Sequence, residues 1–128
     1  MRIFQVSDIH GNLKMAKKIP ARARDLRADL IVIAGDLTHF GGREKAREIL
    51  GIVAEAGLQI FFVSGNCDSP KLLEWSPEDP KATNLHGRIV EFSGYLFAGV
   101  GGGSGKFGTL TELEEEEFEE ILRSLKPE

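Results

Sequence analysis

Residues 30–42, LIVIAGDLTHFGG, decide how this chain folds. Leu30, Ile31, Val32, Ile33 and Ala34 form an apolar run too short for a helix and of the kind that fills a strand buried on both faces. Gly35 breaks the run, and Asp36, Thr38 and His39 put polar chemistry directly after it. The same order occurs on either side. Residues 2–7, RIFQVS, read as a strand and lead into Asp8, His10, Gly11 and Asn12; residues 59–64, QIFFVS, read as another and lead into Gly65, Asn66, Cys67 and Asp68.

Helical periodicity fills the gaps. Leu13, Ala16, Ile19, Ala23 and Leu26 recur at helical spacing, with Pro20 predicting a bend or restart. Residues 43–56 predict an amphipathic helix with Ala46, Ile49, Leu50 and Val53 on one side and Gly57 as its stop. Strands alternating with helices predict an α/β fold on a parallel sheet with right-handed crossovers. Beyond a short helix at residues 71–75, three short strands are expected at 83–85, 88–92 and 95–100, with a Ser93-Gly94 turn between the last two. Thr111 and Glu114 predict a capping box, and Leu113, Phe118, Ile121, Leu122 and Leu125 the buried stripe of a last helix.

Composition narrows the function classes. At 128 residues and 41% hydrophobic, the chain reads as one globular domain, 1–128. The lone cysteine, Cys67, excludes an internal disulfide and fits a reducing compartment, so a cytoplasmic location is expected. Neither a signal peptide nor a membrane span is expected, because Asp8 and His10 interrupt the first apolar run and the longest runs are short. The net charge is −4, and eight of the acidic residues lie from Thr111 onward, which reads as a solvated helix face; no strong nucleic-acid signal results. Few amides beside many Glu, Lys and Arg point towards a thermophile.

Residues 99–106, GVGGGSGK, resemble a phosphate loop but fail its test. Valine stands at position 100 where glycine is needed, and Phe107 follows the Gly-Lys pair where Ser or Thr would reach magnesium. A dinucleotide fingerprint fails at Ser104. The segment reads as a flexible connection, or as a loop lining a site at the strand ends.

Those strand ends carry the chemistry. Ligands of an open α/β sheet sit at the carboxyl ends of adjacent strands, so Asp8, His10, Asp36 and Asn66 should converge. Carboxylate, imidazole and amide oxygen suit manganese, iron, zinc or magnesium. In an extended Asp-x-His segment both side chains project the same way and reach one ion, while a central Asp36 could bridge two.

These elements, Asp8–His10, Gly35-Asp36 and Gly-Asn-Cys-Asp at residues 65–68, resemble the calcineurin-like metallophosphoesterases, as do LHGR at 85–88 and FAGVGGG at 97–103. The chain is most similar to the small archaeal and bacterial single-domain type. The resemblance implies an α/β/β/α sandwich whose second sheet starts with the strands after Thr83. It implies divalent metal ions, two in the family, with Asp8 and His10 on the first, Asp36 bridging and Asn66 on the second; manganese, iron, zinc, magnesium and nickel are not distinguished. The implied activity is hydrolysis of phosphomonoesters or phosphodiesters, with Asn66, Cys67, Asp68 and His39 as the candidate catalytic residues.

The chain departs from the family pattern in two places. Cys67 stands where many members have a histidine that assists the leaving group, and reads either as a half-buried packing residue or as a catalytic thiol. The later His and Gly-His-x-His elements that complete the metal shells are expected but absent, since His10, His39 and His86 are the only histidines. His39 reads as a substrate or outer-shell residue or as a plain loop residue, His86 as structural. The sandwich is therefore expected to be incomplete at its C-terminus, with a sheet edge that a homo-oligomer would cover. The competing function is a non-catalytic scaffold with a degenerate metal site on the same fold.

Overall fold

The computed structural model describes residues 1–104, 112–113 and 115–125. A parallel sheet runs in the order β1 (Ile3–Val6), β2 (Leu30–Ala34), β3 (Gln59–Val63), β4 (Ala82–Asn84). Each strand pairs with the next in sequence, Ile3 opposite Leu30, Leu30 opposite Gln59 and Ile60 opposite Ala82. Helices α1 (Leu13–Asp25) and α2 (Arg43–Val53) form the first two crossovers. Because all strands advance in one direction, right-handed crossovers put both helices on the same face.

The alternation along β2 and β3 sorts the core into two layers. Ile31, Ile33, Ile60 and Phe62 face the helices and pack with Ala16, Ile19, Ala23, Ile49, Leu50 and Val53. Leu30 and Phe61 face the other way, onto Val90, Phe92 and Phe97 of an antiparallel hairpin, β5 (Arg88–Phe92) and β6 (Tyr95–Gly99). The result is a mixed α/β fold on a four-stranded parallel sheet, as the alternation of elements predicts.

Several details differ from the sequence reading. The strand expected to open the second sheet, β4, instead extends the first, pairing parallel with β3. Its Asn84 explains the placement: the buried side-chain amide donates to the carbonyls of Leu72, Leu73 and Trp75, fastening the turn before it. Helix α1 does not restart at Pro20 but runs through it. The proline removes one donor, while Ala16, Ile19, Pro20 and Ala23 are all buried, so packing outweighs the lost bond. The helix expected over residues 43–56 ends in a 3-10 turn, Ala54–Ala56, and Gly57 takes a left-handed φ of 75° as its stop.

Near the C-terminus, β7 (Gly103–Ser104) and β8 (Glu112–Leu113) pair in parallel, so residue 113 lies in a strand before helix α3 (Glu115–Ser124) and not in the helix. Leu122, expected in the buried stripe, is 53% exposed, and Ile121 faces a cleft of ≈ 440 Å³ beside Asn84 and His86. The proposed capping pair Thr111 and Glu114, the Phe118 side chain and residues 105–110 lie outside the described residues. No helix among the described residues is long and apolar enough to cross a membrane.

Candidate metal centre

The loops after β1, β2 and β3 are laced together by main-chain bonds. Asp8, His10 and Gly11 donate their N–H groups to the carbonyls of Gly35, Asp36 and Leu37, at 3.3, 2.9 and 2.9 Å. On the other side, Phe40 donates to the Cys67 carbonyl at 2.8 Å and Ser69 to that of Gly41 at 3.1 Å. The second loop is thus held between the first and the third.

Asp68 clamps that arrangement from below. It is fully buried, and its carboxylate accepts from the N–H groups of Leu37, Thr38 and Gly65 and from the Thr38 hydroxyl. Placed among the catalytic candidates by sequence, Asp68 here positions the loops and faces no open space. Buried Thr38 is not among the sequence candidates, although a threonine beside a glycine-rich turn is a signal for side-chain to main-chain bonding; its hydroxyl oxygen also accepts from the Gly41 N–H at 3.1 Å.

Above this clamp stand the ligand candidates. The ligand atoms of His10, Asp36 and Cys67 all lie within 4.8 Å of one another, and each residue is half-buried. The Cys67 N–H donates to Asp36 Oδ1 at 2.9 Å, which orients the carboxylate. Asp8 is at the exposed rim, with Oδ1 3.4 Å from His10 Nε2. His39 is exposed, its ring edge-on to His10 at 5.7 Å and to Phe40 at 4.6 Å. Asn66 is half-buried on the same loop as Cys67, with Gly103 against its side chain.

The backbone produces this convergence differently from the extended Asp-x-His expected. Asp8, His10 and Asp36 all have left-handed φ values, 58°, 51° and 53°. Buried Ile9 between the first two anchors the turn in the core. Three non-glycine residues held in that sparsely populated region store strain where the polar side chains meet, as functional loops commonly do. Gly65 permits the approach: a Cβ there would strike Oδ1 and the backbone nitrogen of Asp36. The 99–104 segment also borders the site, since Gly102 donates to the Ser64 carbonyl at 2.8 Å.

The electrostatics distinguish the two carboxylates. A hydrogen bond from the Ser7 hydroxyl, aided by Asp36 and His10, holds Asp8 below the usual carboxylate range. Burial pushes Asp36 above it, against the pull of the Cys67 N–H, with the Asp68 charge adding to the rise. Burial, then the charges of Asp36, Asp68 and Asp8, pushes the Cys67 thiol up. Two carboxylates, an imidazole and a thiol therefore gather in one place, with Asn66 on the same loop as the thiol. Among the described residues, buried His10 Nδ1 also has no hydrogen-bond partner. The donor set fits a divalent ion.

His86 belongs elsewhere, as expected. Its Nδ1 accepts from the Gly101 N–H at 2.9 Å, and burial lowers its pKa.

A parallel sheet with carboxylate and imidazole groups at its strand ends carries them where ligands of open α/β sheets commonly bind. The chain belongs to the calcineurin-like phosphoesterase family, whose model matches residues 1–126. Members of this family are generally hydrolases and typically bind divalent metals. It is 30% identical over 123 residues to MJ1162 of Methanocaldococcus jannaschii, a protein named as uncharacterized, covering 92% of this chain and 51% of that one. The structure of TT1561 from Thermus thermophilus superposes with a TM-score of 0.79 at 26% identity, covering 95% of this chain and 60% of that one. A further solved structure has the same fold, with a TM-score of 0.78 at 16% identity over 98% of this chain and 65% of that one. The chain thus spans about half the length of the curated relative it matches.

Proposed function

We propose that this chain is a metal-dependent phosphoesterase acting on phosphomonoesters or phosphodiesters, with Asp8, His10, Asp36 and Asn66 as metal ligands. The observation that carries the reading is the meeting of His10, Asp36 and Cys67 at the ends of β1, β2 and β3, on loops joined by main-chain bonds and, for the second and third, by Asp68. Asp36, held by the Cys67 N–H on the loop that carries Asn66, would be the ligand shared by the two ions. Bound divalent ions in such a site supply Lewis-acid charge stabilisation and activate water near neutral pH.

The chain's own groups supply orientation. The Cys67 N–H keeps one Asp36 oxygen directed into the site. The Ser7 hydroxyl and His10 hold the Asp8 carboxylate ionised at the rim. Exposed His39, packed edge-on between His10 and Phe40, would serve as a substrate or outer-shell residue. Asn66 offers an amide to the same region. These roles need water-facing side chains on rigid main chain, which is how catalytic groups are best presented.

Hydrolysis of p-nitrophenyl phosphate and its bis-ester with added manganese tests the reading. Activity lost in Asp36→Ala supports it; unchanged activity in that variant overturns it. The scaffold reading is favoured by exposed Ile3 (48%) on edge strand β1, a surface suited to a partner. It predicts negligible heat on titration with manganese or zinc, where the enzyme reading predicts binding that Asn66→Ala weakens.

A further inference from the structure

We propose that Cys67 binds the ion directly as a thiolate, beside His10 and Asp36, so that the site takes zinc, ferrous iron or cobalt in preference to magnesium or calcium. This rests on the metal-centre reading above and makes it specific. The half-buried ligand atoms of these three residues lie within 4.8 Å of one another. Ligand pairs around one ion, at bond lengths of about 2.0–2.3 Å, stand roughly 3.3–4.6 Å apart. Small side-chain rotations therefore suffice.

The main chain makes that placement rigid. The Cys67 N–H bonds Asp36 Oδ1 at 2.9 Å, its carbonyl accepts from Phe40 at 2.8 Å, and the His10 N–H bonds the Asp36 carbonyl at 2.9 Å. Each of the three is thereby connected to another of them by a backbone bond. Packing does not account for Cys67, which belongs to neither apolar core cluster. His10 Nδ1 is buried with no hydrogen-bond partner among the described residues.

Coordination needs no redox step. The thiol proton leaves to solvent, a sulfur–metal bond forms, and a water leaves the ion. A thiolate raises affinity for borderline ions and adds little for hard ones, which prefer oxygen.

Cobalt(II) provides the test, on the full 128-residue chain. Titration of the wild type should give visible d–d bands together with a thiolate-to-cobalt charge-transfer band in the near ultraviolet. Cys67→Ser, nearly isosteric, should keep the d–d bands and lose the charge-transfer band. Its zinc affinity by calorimetry should fall at least about tenfold, with magnesium affinity unchanged. Cobalt d–d bands in the wild type without the charge-transfer band would overturn the proposal and leave the metal-centre reading standing. An unchanged charge-transfer band in Cys67→Ser would also overturn it. No cobalt spectrum at all would overturn both.

Discussion

The Thr38 hydroxyl donates to Asp68 Oδ1 at 2.6 Å, across 30 residues of sequence and with both partners buried. That bond, with the Leu37, Thr38 and Gly65 N–H groups on the same carboxylate, joins the loops after β2 and β3. Removing an acceptor that serves several buried donors leaves them unsatisfied, and each costs more than the bond itself was worth. Asp68→Ala should lose about 3 kcal/mol of stability and Thr38→Val about 1 kcal/mol. For a domain of this size these correspond to melting temperatures lower by roughly 9–18 °C and 3–6 °C. Thermal melts followed by circular dichroism check both, and an Asp68→Ala protein melting with the wild type would show that the clamp is not structural.

Gly65 should be intolerant of any side chain, for a reason of space. Its added Cβ would meet Asp36 Oδ1 and the Asp36 backbone nitrogen, and the nitrogen cannot move away without moving the loop. Gly65→Ala should therefore weaken zinc or manganese binding at least about tenfold. Calorimetry reads the effect directly. Gly51→Ala is the control, since its Cβ would meet nothing within 4 Å.

Acid should loosen the segment that borders the site through His86. Burial lowers its pKa in the fold, so the unfolded chain binds the extra proton first. The stabilisation it provides is whole above the ordinary value of 6.5 and is lost as pH falls through the lower folded-state value. Protonation also removes the acceptor for the Gly101 N–H. His86→Gln offers an acceptor that does not titrate, so its melting temperature should drop less than that of the wild type between about pH 7.5 and pH 5. Parallel slopes for the two proteins would contradict this assignment.

Strand β1 forms one edge of the four-stranded sheet, and Ile3 on it is 48% exposed. An open edge with an apolar side chain favours pairing with a second copy of the chain. Light scattering at micromolar concentration should give a dimer or larger species, reduced to monomer in Ile3→Lys. A wild-type monomer would exclude self-pairing at this edge.

Much of the fold is legible in period and punctuation. Residues 30–33 alternate between two buried layers, and a run without polar breaks identifies such a strand before any contact is known. Helices α1 and α2 follow from apolar spacing, and Gly57 marks the end of the second with its left-handed turn. The destination of β4 was not legible. Three residues carry too little pattern to choose between sheets, and the choice is made by Asn84 bonding to carbonyls nine to twelve residues away. Of the bend or restart that Pro20 predicts, the restart does not occur, because local propensity counts one missing bond and not the buried face that outweighs it.

For the site, sequence alone determined which residues follow the strands: Asp8, His10, Asp36, Asn66 and Cys67 at the carboxyl ends of a parallel sheet. Their types already implied divalent-ion chemistry, because carboxylate and imidazole donors are set by composition and order. Only the tertiary structure decided how they divide the work. Asp68 sank into the interior as a clamp, Cys67 came within 4.8 Å of the His10 and Asp36 ligand atoms, and left-handed turns at Asp8, His10 and Asp36 replaced an extended strand. Those outcomes depend on bonds between loops about 30 residues apart, where burial and main-chain pairing, not local pattern, set each side chain's direction.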